Sequence, residues 1–140
     1  MKGERSCRGL PFTRTRPRLC SMGELVTILQ PRRFTLQEAE DLLPVIRKIT
    51  KESVDQFLML EEKLKHFQND PEKWKEVEQE IAQLLNHWSE KILKLGCQPK
   101  GIWLVDFDNG EGYFCWRYGD EKIQYFHGYN EGFSGRVAIN

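Results

Sequence analysis

Long apolar runs are missing from this sequence. No stretch approaches the roughly 18 uninterrupted apolar residues that a membrane-spanning helix needs, and none matches the apolar segment of about 7–15 residues in a secretory signal. Cysteine is also scarce, with four among 140 residues and no CxxC pair. Structural zinc sites built from cysteine pairs are therefore excluded, and disulfides are disfavoured. We expect a reduced cytoplasmic protein that does not interact with membranes.

Net charge is absent as well, because 21 basic side chains balance 21 acidic ones, but the charges are unevenly distributed. Residues 1–21 contain six cations and a single anion, Glu4. This segment has no apolar periodicity, so we interpret it as a disordered basic leader outside the folded domain. If Met22 is the true start, the leader is upstream sequence translated from a mis-set start codon. A targeting signal and a nucleic-acid-binding arm are the alternatives.

Two long helices are predicted in the charged central region, residues 36–95. Apolar residues recur there every three or four positions, which keeps one face of each helix buried. A capping box at Thr35 begins the first helix, Asp70 is a favourable N-cap for the second, and Gly96 favours a left-handed C-cap. Pro44 is expected to kink the first helix or to begin a new one. Because only about three residues separate the helices, they must fold back as an antiparallel hairpin.

The C-terminal region is rich in aromatic residues and glycine, with 10 of the 16 aromatic residues after position 101. Turns rich in glycine and aspartate separate three β-favouring runs there, residues 102–107, 113–117 and 123–127. A further run at 24–30 is a candidate edge strand, and residues 128–140 are expected to form a loop. The predicted fold class is α+β: a long antiparallel helical hairpin packed on a small three- to four-stranded antiparallel meander, in a single domain over residues 22–140.

The positions of side chains on the sheet depend on the strand register. If each turn is symmetric, Asp106 lies opposite Phe114, and Phe114 lies opposite His127. One face then carries Asp106, Phe114, Trp116, Tyr125 and His127, and the other carries Val105, Cys115 and Phe126. A slip of one residue would exchange the two faces.

Four sequence blocks follow one another in an order that is typical of one bacterial family. They are FTLQEAEDLLP at 34–44, LVDF at 104–107, CWRYGDEKIQYFH at 115–127 and EGFSGR at 131–136. On these blocks the chain resembles the family known as domain of unknown function 2203. It departs from the family pattern at Trp103, where the pattern has glycine, at Asp108 (proline) and at Phe126 (tryptophan). The resemblance implies a bacterial cytoplasmic protein, begins after the basic leader, and brings no assigned activity.

The same blocks contain the side chains that are able to do chemistry, namely Asp106, Cys115, His127, Glu131 and Arg136. Asp106, His127 and Glu131 are suitable ligands for a divalent metal ion. Alternatively, His127 acts as a base while Arg136 binds an anionic substrate, as in a hydrolase. The plainest interpretation is that Arg136 pairs with Glu131 or Asp106 and fixes the C-terminal loop. Cys115 is interpreted as a small buried hydrophobic residue.

Four of these residues, Asp106, His127, Glu131 and Arg136, are the predicted ligand-binding residues. No catalytic residue, metal ligand or cofactor is assigned from the sequence. Nucleic-acid binding is disfavoured, because residues 102–140 hold three cations against six acids, which is the wrong balance for binding phosphate groups.

The helical hairpin favours a homo-oligomer or a protein partner, since each helix has an apolar stripe and few elements to cover it. Leu42, Leu58 and Leu85 lie off the main stripe and add apolar surface. The sequence thus favours a bacterial cytoplasmic protein-interaction or self-associating module rather than an enzyme. The alternative is a small metal- or anionic-ligand-binding protein, including a hydrolase-like enzyme, that uses the four predicted residues.

Overall fold

Two antiparallel helices and a five-stranded antiparallel sheet make up the structure, a computed structural model that describes residues 32–139. Helix α1 spans Leu36–His66 and helix α2 spans Pro71–Lys94. The predicted hairpin and the α+β class are confirmed. The predicted leader and the candidate strand at 24–30 lie outside the described residues. None of the described helices is long and apolar enough to cross a membrane.

The helix ends follow the local sequence signals. Thr35 Oγ1 accepts a hydrogen bond from the Glu38 N–H at 3.1 Å, while Glu38 Oε1 accepts one from the Thr35 N–H at 2.9 Å. Asp70 accepts a hydrogen bond from the first turn of α2, and Gly96 has a φ of +90° after its end. Helix α1 continues through Pro44, so the alternative in which a new helix begins there is wrong.

The sheet has more strands than predicted. In chain order, and in the same order across the sheet, they are β1 (Gln98–Pro99), β2 (Leu104–Asp108), β3 (Gly112–Arg117), β4 (Tyr125–Gly128) and β5 (Val137–Ala138). The additional strands β1 and β5 are edge strands of two residues, which are too short to show an alternating pattern. Strand β5 lies in the segment 128–140, which was expected to be a loop, and it pairs with β4.

The register of β2 against β3 differs by one residue from the prediction. Asp106 pairs with Cys115 rather than with Phe114. The turn is the reason, because Asp108 still belongs to β2 and pairs with Tyr113, so that four residues, 109–112, connect the last residue pair instead of five. Asp106 and Cys115 are therefore direct neighbours on one face of the sheet.

The register of β3 against β4 also differs by one residue. His127 pairs with Tyr113 and not with Phe114. Directly opposed residues of neighbouring strands project from the same face of a sheet. The prediction therefore placed Phe114 on the wrong face relative to Asp106 and His127, and it placed Cys115 on the wrong face as well.

The other face of the sheet packs against the helical hairpin. Trp116, which was predicted on the face of Asp106, lies in this core instead and is fully buried. The core combines three strand residues with five helix residues: Val105, Phe107, Trp116, Ala39, Leu43, Ile46, Trp88 and Ile92. Within the hairpin, Trp88 Nε1 donates a buried hydrogen bond of 3.0 Å to Thr50 Oγ1. The helices thus cover one face of the sheet and leave the opposite face for polar side chains.

The turn between β1 and β2 contains a strained residue. Trp103 has a φ of +63°, the left-handed conformation that favours glycine. A side chain in this conformation costs roughly 1–2 kcal/mol. The Trp103 ring packs edge-on against Trp88 at 5.1 Å and against Phe57 at 5.8 Å between ring centroids. These aromatic contacts offset the backbone strain.

Candidate functional site

Three buried side chains with metal-ligating atoms meet on the face of the sheet that points away from the helices. Asp106 on β2 and Cys115 on β3 are each 2% exposed, and His127 on β4 is 4% exposed. One ligand atom from each residue lies within 4.8 Å of the other two. Within residues 32–139 this is the one such group of three, and we name it the Asp–Cys–His cluster.

The His127 ring is held at both nitrogens. Nδ1 lies 3.1 Å from the Gly128 carbonyl oxygen, and Nε2 lies 3.1 Å from Asp106 Oδ2. A carbonyl oxygen only accepts hydrogen bonds, so the network assigns the hydrogen on Nδ1 as the donor to Gly128. One proton is then shared between Nε2 and Oδ2. Burial raises the pKa of the Asp106 carboxyl, and the neighbouring His127 acts in the opposite direction.

The Cys115 thiol completes the cluster and is not a thiolate. Its sulfur lies within 4.8 Å of the ligand atoms of Asp106 and His127. Burial raises the pKa of the Cys115 thiol to about 12, the Asp106 charge raises it too, and the Arg136 guanidinium acts in the opposite direction. The protonated thiol is a poor nucleophile at neutral pH, so this arrangement argues against catalysis by a cysteine nucleophile.

A small cavity of about 160 Å³ opens beside the cluster. Besides the three cluster residues, it is lined by Lys100, Leu104, Tyr113, Tyr129, Glu131 and Gly132. Glu131 Oε1 accepts a hydrogen bond of 2.9 Å from the Gly128 N–H, which holds the carboxylate at the edge of the cavity. The Lys100 ammonium lies 5.5 Å from the centroid of the Tyr113 ring. One cation and one anion thus accompany the buried cluster.

The family model described as "Uncharacterized conserved protein (DUF2203)" matches residues 32–139. The chain belongs to the DUF2203 family. This confirms the resemblance inferred from the sequence blocks. No curated protein and no solved structure matches the chain. Because the DUF2203 description names no activity, a function has to be argued from the geometry.

Within the DUF2203 match, the four predicted ligand-binding residues divide into two groups. Asp106 and His127 are in direct contact, and Glu131 lines the same cavity. Arg136 does not line that cavity; its guanidinium lies 3.9 Å from the centroid of the Tyr125 ring. Its positive charge lowers the pKa of the Cys115 thiol, so the guanidinium lies near the cluster without lining the cavity.

Sequence reasoning named Cys115 but left it out of the predicted ligand-binding residues, and it missed Lys100. Cys115 was missed because the one-residue register error turned it toward the core. The one clue to the correct register was Asp108. Aspartate is common both at strand ends and in turns, so Asp108 was compatible with a strand longer by one residue. No sequence pattern pointed to Lys100. It lies in the connection between β1 and β2, and only the folded sheet brings it to the cavity.

Proposed function

We propose that this DUF2203 protein binds a divalent transition-metal ion, with zinc as the best fit, through Asp106, Cys115 and His127. The observation that carries the proposal is the convergence of three different metal-ligating side chains, from three adjacent strands, within 4.8 Å of one another. Carboxylate, thiolate and imidazole are all zinc ligands. The sequence favoured an interaction module, and the geometry of the cluster supports this ligand-binding alternative better.

The spacing of one pair of ligand atoms, His127 Nε2 and Asp106 Oδ2, is close to that in a tetrahedral zinc site. Ligands at about 2.0–2.3 Å from zinc lie roughly 3.3–3.7 Å from one another. The distance of 3.1 Å between His127 Nε2 and Asp106 Oδ2 is within a few tenths of an ångström of that range. A metal ion would therefore replace the proton that these two atoms share, with little movement of either side chain, and it would also displace the proton of the Cys115 thiol to solvent.

The surroundings of His127 also support metal binding. A histidine that ligates a metal through one nitrogen usually donates a hydrogen bond from the other, often to a backbone carbonyl. The Nδ1 contact with the Gly128 carbonyl provides this hydrogen bond and leaves Nε2 directed at the cluster. Three protein ligands leave a fourth position open, as in zinc sites that bind water or substrate rather than in purely structural ones. All three cluster residues line the cavity, which would give a further ligand access to them.

The proposal is tested by titrating the full chain, purified without chelator, with cobalt(II) in place of zinc. We expect a near-ultraviolet thiolate-to-cobalt charge-transfer band that saturates at one equivalent. The band should disappear in His127→Ala and in Cys115→Ser. Replacing Cys7 and Cys20 by serine in every sample keeps those thiols from contributing.

Cys97 provides a matched control for this experiment. It is also fully buried, and burial raises the pKa of its thiol to about 12, but it lies outside the cluster. Cys97→Ser should therefore keep the charge-transfer band. A wild-type protein that shows no band, or a band that survives in Cys115→Ser, would refute the metal site.

We propose self-association through the hairpin as a second candidate function. The part of the hairpin between residues 54 and 87 supports this proposal, because the rest of the described structure covers it poorly. Between residues 54 and 87, Val77 is the one side chain that is fully buried in the described structure. Leu58 is 55% exposed and Met59 is 69% exposed. Helices that leave an apolar seam half-covered are commonly completed by other helices.

The charge pattern of this end of the hairpin favours a second copy of the chain as the partner. A groove of about 600 Å³ runs between the helices, lined by Gln56, Met59, Leu60, Lys63, Glu80, Gln83, Leu84 and His87. Lys63 and Glu80 form an ion pair of 3.1 Å with each other across the groove. The groove therefore carries no net charge that would repel an identical groove related by a two-fold axis.

Sedimentation analysis of two charge-introducing variants tests the second candidate. We expect a wild-type dimer and a Met59→Glu monomer, because the new charge would be buried between the two copies. Val45→Glu is the control: Val45 is 47% exposed on the same helix but does not line the groove. A wild-type monomer at about 100 μM, or equal effects of both variants, would contradict an interface at the groove.

A further inference from the structure

We infer that the cavity beside the Asp–Cys–His cluster binds a small zwitterion of the α-amino-acid type. Its carboxylate would lie between the metal ion and Lys100, and its ammonium group would face Glu131. This inference rests on the metal site proposed above and names the class of ligand that the open metal position would take.

The two charged groups at the edge of the cavity carry the inference. Lys100 and Glu131 both line it and have opposite charges. A simple carboxylate would satisfy the lysine but would meet the negative charge of Glu131, whereas a simple amine would meet the positive charge of Lys100. A ligand with both charges is complementary to both residues, and charge-assisted hydrogen bonds are the stronger ones in such sites.

Glu131 is an exposed acid whose carboxylate is held by local contacts. One of its oxygens accepts a hydrogen bond from the Gly128 N–H. A Cβ atom added at Gly128 would lie 3.2 Å from that carboxylate oxygen, and one at Gly135 would lie 3.0 Å from the Glu131 Cβ. Both glycines therefore let the backbone approach the glutamate closely, which fixes the carboxylate at the cavity.

Lys100 is also held in place, by a hydrogen bond of its backbone and by an aromatic ring next to its side chain. Its N–H donates a hydrogen bond of 2.9 Å to the Leu104 carbonyl, which closes the strained turn that contains Trp103. Its ammonium lies over the Tyr113 ring, and its positive charge also acts on the buried Asp106 carboxyl. The lysine therefore places a positive charge beside the cluster, where a carboxylate bound to the metal would need a partner.

The size and walls of the cavity restrict the ligand to a short one. A volume of about 160 Å³ corresponds to roughly five water molecules at about 30 Å³ each, which suits glycine or alanine. Leu104 and the rings of Tyr113 and Tyr129 provide apolar wall. This wall suits the carbon atoms of an amino acid better than it suits inorganic phosphate, which has no apolar part.

Three isosteric probes distinguish the ligand classes on the zinc-loaded full chain. Alanine carries both charges, propionate lacks the ammonium group and ethylamine lacks the carboxylate. By calorimetric titration we expect alanine to bind about tenfold more tightly than either of the other two. Zinc content is measured after each titration to show that the probe has not removed the metal. Propionate or inorganic phosphate binding as tightly as alanine would overturn the inference.

Variants of Lys100 and Glu131 test the contribution of each charge to ligand binding. They also distinguish a failure of this inference from a failure of the proposed metal site. Lys100→Gln and Glu131→Gln should each weaken alanine binding about tenfold while the cobalt band stays unchanged. Glutamine at 131 is still able to accept the hydrogen bond from Gly128. Lys122→Gln is the control, because Lys122 lines a different surface depression, and it should bind alanine normally. A missing cobalt band would refute the metal site, whereas a normal band without alanine binding would refute only the inference.

Discussion

Replacing Asp106 by alanine is expected to lower the free energy of unfolding of the metal-free protein by about 3 kcal/mol. Asp106 is 2% exposed, its Oδ2 lies 3.1 Å from His127 Nε2, and the polar Cys115 thiol is its other neighbour in the cluster. Its removal would leave two buried polar groups without this partner and would also create a cavity. Urea unfolding followed by tryptophan fluorescence measures the change in the free energy of unfolding.

Asp106→Asn is the matched control for the alanine variant. The asparagine amide group is able to donate to His127 Nε2, and its oxygen is able to accept from the Cys115 thiol. The amide has nearly the same shape as the carboxyl, and burial raises the pKa of that carboxyl, which lowers the cost of replacing it by a neutral group. We expect this variant to lose only about 1 kcal/mol. A loss as large as that of the alanine variant would indicate a buried ion pair instead of a neutral hydrogen bond.

The helical hairpin was predictable because its signals are local. The capping box at Thr35, the Asp70 N-cap and the left-handed Gly96 each depend on residues within one helical turn. The edge strands gave no such signal. Strands β1 and β5 contain two residues each, and their pairing depends on neighbours that only the folded sheet supplies.

The sequence indicated some of the residues of the candidate site, but not the full set of side chains that meet there. The sequence identified Asp106 and His127, yet these residues are 21 positions apart and meet only through the strand register. One residue more or less in the turn after β2 decides whether Cys115 faces the core or the cluster. Asp108 is compatible with both turn lengths, so turn preferences did not determine the register.

Saturating zinc is expected to raise the free energy of unfolding of the wild-type protein by about 4 kcal/mol when free zinc exceeds its dissociation constant about 1,000-fold. The gain arises because the folded chain presents all three ligands together, whereas the unfolded chain does not. Thermal unfolding with and without zinc measures the gain, and a chelator should reverse it. Cys97→Ser should retain this stabilisation and Cys115→Ser should lose most of it.

Asp106→Asn gives the zinc experiment its sharpest comparison, because this variant is expected to keep the fold and to lose the metal. A neutral amide replaces the hydrogen bonds of the carboxyl but is a much poorer ligand for zinc than a carboxylate. The variant should therefore unfold close to the wild type without zinc and should gain little stability when zinc is added. Equal zinc stabilisation of both proteins would remove Asp106 from the ligand set. If the cluster only stabilises the sheet, Asp106→Ala should lower the free energy of unfolding and zinc should not change it. If the cluster is a metal site, both should change the free energy of unfolding.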